Sequence, residues 1–168
     1  MAKDLESLVL SVKNKAIEIT NICSDKGVDL LIYCTYRSLR EQAMLFRQGR
    51  SKVDIDKKIV SLNKLGFKQL AELIESVGPQ NGKKVTNSGP GESWHNYGEA
   101  FDAVPCVGGK ALWNDKEKYM IYGNSVKQVG MFWAGDWKTF KEYPHAQLRL
   151  QANPLKVLSP EEVSRWIK

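Results

Sequence analysis

The segment SWHNYGEAFDAVP, Ser93 to Pro105, constrains this chain more than any other stretch of it. His95 and Asp102 stand seven apart around Gly98. On one helix, at roughly 1.5 Å rise per residue, they would share a face about 10 Å apart. Zinc holds nitrogen and oxygen donors at about 2.0–2.2 Å, so donors sharing one ion lie within about 4 Å of each other. Gly98 can take the positive φ that other residues resist, and Phe101, Ala103 and Val104, stopped by Pro105, have the character of a short strand. The segment therefore predicts a tight turn feeding a strand, able to aim both side chains at one point. A surface histidine beside a solvated aspartate is the competing reading of the pair taken alone.

The flanking pattern mixes helices and strands. Leu5, Leu8, Val9, Val12, Ala16 and Ile19 recur at helical spacing, predicting a first helix from about Asp4 to Cys23 that Gly27 ends. DLLIYCTY reads as a buried strand, and Ser38 with Glu41 forms a capping box for a second helix closed by Gly49. Residues 51–60 read as charged and irregular. Leu62, Leu65, Leu70, Leu73, Ile74 and Val77 predict a third helix ending near Gly78, and Pro79 to Gly91 reads as loop. GGKALWN predicts a hairpin tip and return. Asn114 caps a fourth helix stopped by Gly130, MFWAG and HAQLRL read as strands, and Ser159, Pro160 and Glu162 open a short terminal helix. One α+β domain over residues 1–168 accommodates all of this.

Composition removes several function classes. The 168 residues are 42% hydrophobic and 26% charged, an ordinary globular balance that gives no grounds for disorder. The net charge of +6 is spread along the chain, so it suits anionic polymers in general and carries no specific nucleic-acid signature. Three cysteines, Cys23, Cys34 and Cys106, are an odd number at scattered spacings, which points to a reducing compartment and to small buried side chains, not to a disulfide framework. The acids Asp4 and Glu6 interrupt the N-terminus and no apolar run has signal-peptide or membrane-spanning length; the expectation is cytoplasmic synthesis with no stable membrane insertion.

The chemistry concentrates around the two histidines, His95 and His145. With Asp102 they supply two imidazoles and a carboxylate, a set that leaves a fourth zinc position open, as a catalytic site requires. Glu142 precedes His145 by three in FKEYPH, and Pro144 forces Tyr143 toward an extended conformation. A carboxylate so close to a metal ligand can act as general base and acid.

TYRSLREQAMLFRQGR, VTNSGPGESWHNYGEAFDAVP and FWAGDWKTFKEYPHAQL resemble, in family order, the peptidoglycan L-alanyl-D-glutamate endopeptidases of tailed-phage endolysins and bacterial autolysins. These are kin to the VanY-like D-Ala-D-Ala carboxypeptidases and, in fold, to the hedgehog signalling domain. The family pattern SxHxxGxAxD is met by Ser93, His95, Gly98, Ala100 and Asp102; acid-x-x-His by Glu142 and His145; YRSxxEQ by Tyr36, Arg37, Ser38, Glu41 and Gln42. Relatives usually carry Asp at the position of Glu142.

The resemblance implies a small antiparallel sheet flanked by helices and one zinc held by His95, Asp102 and His145. Glu142 is implied as general base and acid, and Arg37 as the donor to the scissile carbonyl or a substrate carboxylate. Ser93 and Gln42 are implied as supporting residues, with Trp94, Tyr97, Trp133, Asp136 and Trp137 lining or bracing the cleft, plain core packing being the alternative for the tryptophans. The implied activity is hydrolysis of the L-Ala-D-Glu bond of the peptidoglycan stem peptide in phage lysis, by a monomer that reaches the wall after a holin opens the membrane. D,D- or L,D-carboxypeptidase activity and a non-catalytic, zinc-containing wall-binding domain are the alternatives. Residues 51–84 read as a helical insertion, and no separate wall-binding domain is expected within the 168 residues.

Overall fold

The computed structural model describes residues 3–167. Along the chain it contains a 3₁₀ turn Leu5–Ser7, α1 Leu10–Asp25, β1 Asp29–Cys34, α2 Leu39–Arg47, α3 Lys52–Lys64, α4 Lys68–Ser76 and a 3₁₀ turn Trp94–Tyr97. Then come β2 Ala100–Val107, β3 Lys110–Ala111, α5 Lys116–Gln128, β4 Phe132–Trp133, a 3₁₀ turn Ala134–Asp136, β5 His145–Gln147, a 3₁₀ turn Pro154–Lys156 and α6 Pro160–Ser164. The fold class is α+β, as the mixed periodicities predict. Contacts gather the chain into two compact units, residues 1–36 with 97–150, and residues 37–96 with 151–168.

The first unit holds the whole sheet. Every pairing is antiparallel, in the order β1-β2-β5-β4, with β3 returning against β2. Val12, Ala16, Ile19 and Cys23 form the buried stripe of α1 and join Phe101, Ala103 and Val104 of β2 and Tyr119, Tyr122 and Val126 of α5 in one core. Each fully buried aliphatic or aromatic side chain there contributes about 1.5–3 kcal/mol. Trp133 is seated in this core against two glycines: a Cβ on Gly123 or Gly135 would come within 2.2 or 2.3 Å of the indole.

Local chemistry shortens several predicted elements. The expected first helix is two pieces, because Asp4 caps the turn at Glu6 N–H and Val9, in extended conformation, donates its N–H to Gly98 O at 3.1 Å. The first strand stops at Cys34, two residues early, where a bulge leaves Tyr33 as the extra residue opposite Asp102 and Ala103. α5 is capped by Asp115 and not Asn114. MFWAG keeps only two strand residues before it tightens into the 3₁₀ turn, and HAQLRL keeps three. The three cysteines are buried and form no disulfide among the described residues.

The second unit is helical. Ser38 accepts from Glu41 N–H as predicted, and Ser159 with Glu162 makes a complete capping box on α6. Residues 51–60, read as charged and irregular, are instead the cap and most of α3 (52–64), with Ser51 accepting from Asp54 N–H and Ile55 and Leu62 buried. The predicted third helix is broken at Gly66, whose φ of +87° ends α3 in a Schellman motif: Phe67 N–H bonds Leu62 O at 2.9 Å and Gly66 N–H bonds Asn63 O at 3.1 Å. Leu70, Ala71 and Ile74 of α4 then bury beside Leu39, Ala43 and Phe46 of α2. Among the described residues, no helix is long and apolar enough to cross a membrane.

Candidate active site

In the first unit, Asp102 on β2 and His145 on β5 are register partners, and His145 Nδ1 lies 3.0 Å from Asp102 Oδ1. Donors that close can share one ion. His145 is 7% exposed, and its other ring nitrogen, Nε2, lies 3.1 Å from Gln147 Oε1. Glu142 stands one tight turn before it, with His145 N–H donating to Glu142 O at 3.1 Å.

This strap from Glu142 to His145 is anchored at nearly every peptide. Glu142 N–H donates to Ala134 O at 3.2 Å, and the Trp133 indole N–H donates to Tyr143 O at 2.7 Å. Pro144 O accepts from both Ala103 N–H at 3.0 Å and the Tyr122 hydroxyl at 2.9 Å. Trp133, 2% exposed, is thus a brace for the strap. Trp137 sets its ring 5.8 Å from the His145 ring, while Asp136 pairs with Lys127 at 2.9 Å and is half-exposed.

Tyr97 is buried at the head of the turn into β2, and Gly98 takes φ +66° as predicted; a Cβ there would press Ser7 O at 3.0 Å. Burial pushes the phenols of Tyr97 and Tyr122 above their ordinary range. Burial, with the negative charge of Asp102 second, pushes Tyr119 up to about 12 and raises Tyr33 further, where Glu142 also contributes. These groups remain hydroxyl donors at neutral pH.

In the second unit, Arg37 leads out of the first strand into α2. Its N–H donates to His95 O at 3.1 Å, and its Nη1 donates to Gln42 Oε1 at 2.9 Å. Gln42 in turn donates through Nε2 to Ser88 O at 2.7 Å, so both ends of this buried amide are engaged. Ser93 and His95 are buried, and Trp94 donates its indole N–H to Gln151 O at 2.6 Å. The helices of residues 52–76 are tied to the loop that carries these groups: Lys58 of α3 pairs with Glu92 at 2.7 Å, and Glu92 accepts from Gly89 N–H at 2.7 Å. Arg50 stacks on Phe46 at 3.9 Å and donates to Thr86 O.

Three polar residues escaped the sequence reading. Asn96, fully buried, donates to Arg37 O at 2.8 Å and accepts from Gly91 N–H at 3.0 Å. Gln147 is 1% exposed beside His145, and Tyr33 sits at the bulge with its ring 5.3 Å from Trp113. Only Gln147 carried a signal, its two-residue spacing from His145, which on a strand means one face.

Residues 86–148 match the peptidase family model described as D-alanyl-D-alanine carboxypeptidase. The chain is 31% identical over 146 residues to the peptidoglycan L-alanyl-D-glutamate endopeptidase CwlK of Bacillus subtilis (strain 168), a match covering 82% of this chain and 71% of that protein. Among solved structures, the Serratia marcescens L-Ala D-Glu endopeptidase ChiX aligns with TM-score 0.49 at 18% identity over 88% of this chain and 84% of its own. The vancomycin-resistance D,D-pentapeptidase VanY, from a VanB-type cassette and in complex with Zn(II), aligns with TM-score 0.49 at 17% identity over 94% of this chain and 83% of its own. With its histidine, aspartate and acid-x-x-His residues inside the matched region and CwlK matched over most of both chains, this chain belongs to the VanY-like D-alanyl-D-alanine carboxypeptidase family of peptidases.

Proposed function

We propose that this protein is a zinc-dependent peptidoglycan endopeptidase that hydrolyses the L-Ala-D-Glu bond of the stem peptide. The observation that carries the reading is the Asp102–His145 pair, 3.0 Å between Oδ1 and Nδ1, with Glu142 fixed one turn away by the His145 N–H bond. A carboxylate oxygen and an imidazole nitrogen at that separation fit a zinc ion, and His95 is the third ligand by its place in the family pattern. When bound, zinc supplies Lewis acidity toward the scissile carbonyl and makes an attacking water more acidic.

The protein side of the reaction falls to two residues. Glu142 accepts the proton from the attacking water and returns it to the leaving amine as the carbon–nitrogen bond breaks. Arg37, its guanidinium steadied by Gln42, donates to the carbonyl oxygen as negative charge builds there. The strap contacts keep Glu142 from drifting, which matters because an ångström of misplacement can reduce the rate about a hundredfold.

The choice of bond follows the CwlK relationship and the three endolysin-like segments. Those segments also support a role as a monomeric endolysin in phage lysis, made in the host cytoplasm and dependent on a holin-type lesion to reach the wall. Mass spectrometry of purified peptidoglycan after digestion tests the bond: new N-terminal D-Glu is expected, and release of terminal D-Ala alone would assign carboxypeptidase activity instead. Expression inside host cells, with and without a co-expressed holin, tests delivery, with lysis expected only when the inner membrane is opened.

A further inference from the structure

We infer that Tyr33, braced by Trp113, is a substrate-contacting residue whose phenol donates a hydrogen bond to an acceptor oxygen of the stem peptide beside the scissile bond. Between the register pairs Ile32–Ala103 and Cys34–Asp102, β1 carries one residue more than β2, and that residue is Tyr33. Bulges re-aim a side chain and gather beside active sites. Here the re-aimed group lies on the strand next to Asp102, which faces His145 across β2 and β5. Burial, then the charge of Asp102, raises this phenol, and Glu142 also contributes, so the hydroxyl is near both acids of the site.

Among the described residues the Tyr33 hydroxyl meets no protein hydrogen-bond partner, and it is not sealed in the interior. Tyr122, by contrast, gives its hydroxyl to Pro144 O at 2.9 Å. The Tyr33 ring is nevertheless held: Trp113, just past β3, packs edge-on against it with ring centroids 5.3 Å apart and planes at 70°. That indole is itself 55% exposed, so the pair presents an apolar wall carrying one oriented donor. Such a surface suits a peptide, whose CH groups pack on the rings while a carbonyl or carboxylate oxygen accepts from the phenol. The identity of the peptide rests on the peptidoglycan reading above.

The test compares Tyr33→Phe with the wild type on a soluble stem peptide beginning L-Ala-D-Glu. Phenylalanine keeps the ring and its contact with Trp113 and removes only the hydroxyl, so zinc content and melting temperature should not change. KM should rise by about 5- to 10-fold with kcat nearly constant, the pattern of a contact made equally in the bound substrate and the transition state. Trp113→Ala, which releases the ring, should raise KM as well. A tyrosine that merely packs would leave the kinetics of the phenylalanine variant untouched, so an unchanged KM overturns the inference. A melting temperature lowered by loss of the hydroxyl alone overturns it too, because that would reveal a partner inside the fold. In the Glu142→Gln background, calorimetry with the same peptide reads binding apart from turnover, and adding Tyr33→Phe should weaken it by the same factor. If the wild type cleaves nothing while this background binds the peptide and Tyr33→Phe weakens that binding, the proposed reaction fails and the contact stands. Absence of any peptide binding overturns both.

Discussion

Asp102 and His145 face each other across the β2–β5 ladder with their nearest polar atoms 3.0 Å apart. Protein purified without added metal should therefore contain one zinc per chain by elemental analysis, and His145→Ala, Asp102→Ala or His95→Ala should lose it. Zinc at a hundred times its dissociation constant stabilises the fold by about 2.7 kcal/mol, so chelation should lower the melting temperature by roughly 5–10 °C in the wild type and not in these variants. Wild-type protein without zinc, even after reconstitution, would end the reading.

Glu142 is separated from the ligands by its role. Glu142→Gln is nearly isosteric, so zinc and the strap bond from His145 N–H to the backbone oxygen at 142 should survive, while cleavage of peptidoglycan slows by about 10²–10⁴-fold. Glu142→Asp should recover part of the rate, since it keeps a carboxylate, one methylene shorter, at the same place on the strap. Loss of zinc in the glutamine variant would instead make Glu142 a ligand.

Arg37 is held at Nη1 by Gln42, whose own amide is fixed on Ser88 O. Arg37→Lys keeps the charge and loses the planar fork, so turnover should fall by roughly 10²–10³-fold with zinc content unchanged. Near-normal turnover would make the arginine structural.

Gly123 lies inside α5, where alanine ordinarily stabilises a helix by about 1 kcal/mol. Here the new methyl would stand 2.2 Å from the Trp133 ring. Gly123→Ala should destabilise by about 1–3 kcal/mol in urea unfolding and reduce activity as well, because displacing the indole releases Tyr143 O and the strap. A stabilised, fully active variant would show that Trp133 does not brace the site.

An unfolded tyrosine ionises near pH 10. Burial, with the Asp102 charge, pushes Tyr119 up to about 12, and burial holds Tyr33, Tyr97 and Tyr122 above the ordinary range too. The folded state keeps protons that the unfolded chain releases, so the stability from these neutral phenols is complete below about pH 10 and is lost as pH rises beyond it. Urea midpoints should fall steadily above that pH, and absorbance titration should show these phenols ionising together with unfolding. Reversible ionisation of all tyrosines near pH 10 in the folded protein would contradict the burial.

Sequence alone determined the features set by neighbours a few residues apart. Ser38 and Ser159 cap their helices and Gly98 turns into β2, because a cap or a positive φ is a matter of one or two peptide groups. The signal for the break at Gly66 was also local, but the apolar stripe on either side suggested one continuous helix. Tertiary structure decided the rest. Val9 leaves the helical path because Gly98 O accepts its N–H, and Asp102 meets His145 because two distant strands pair in one register. The strap around Glu142 is placed by an indole, a phenol and two backbone groups from other elements. Such contacts depend on which surfaces the core brings together, and no local spacing encodes that.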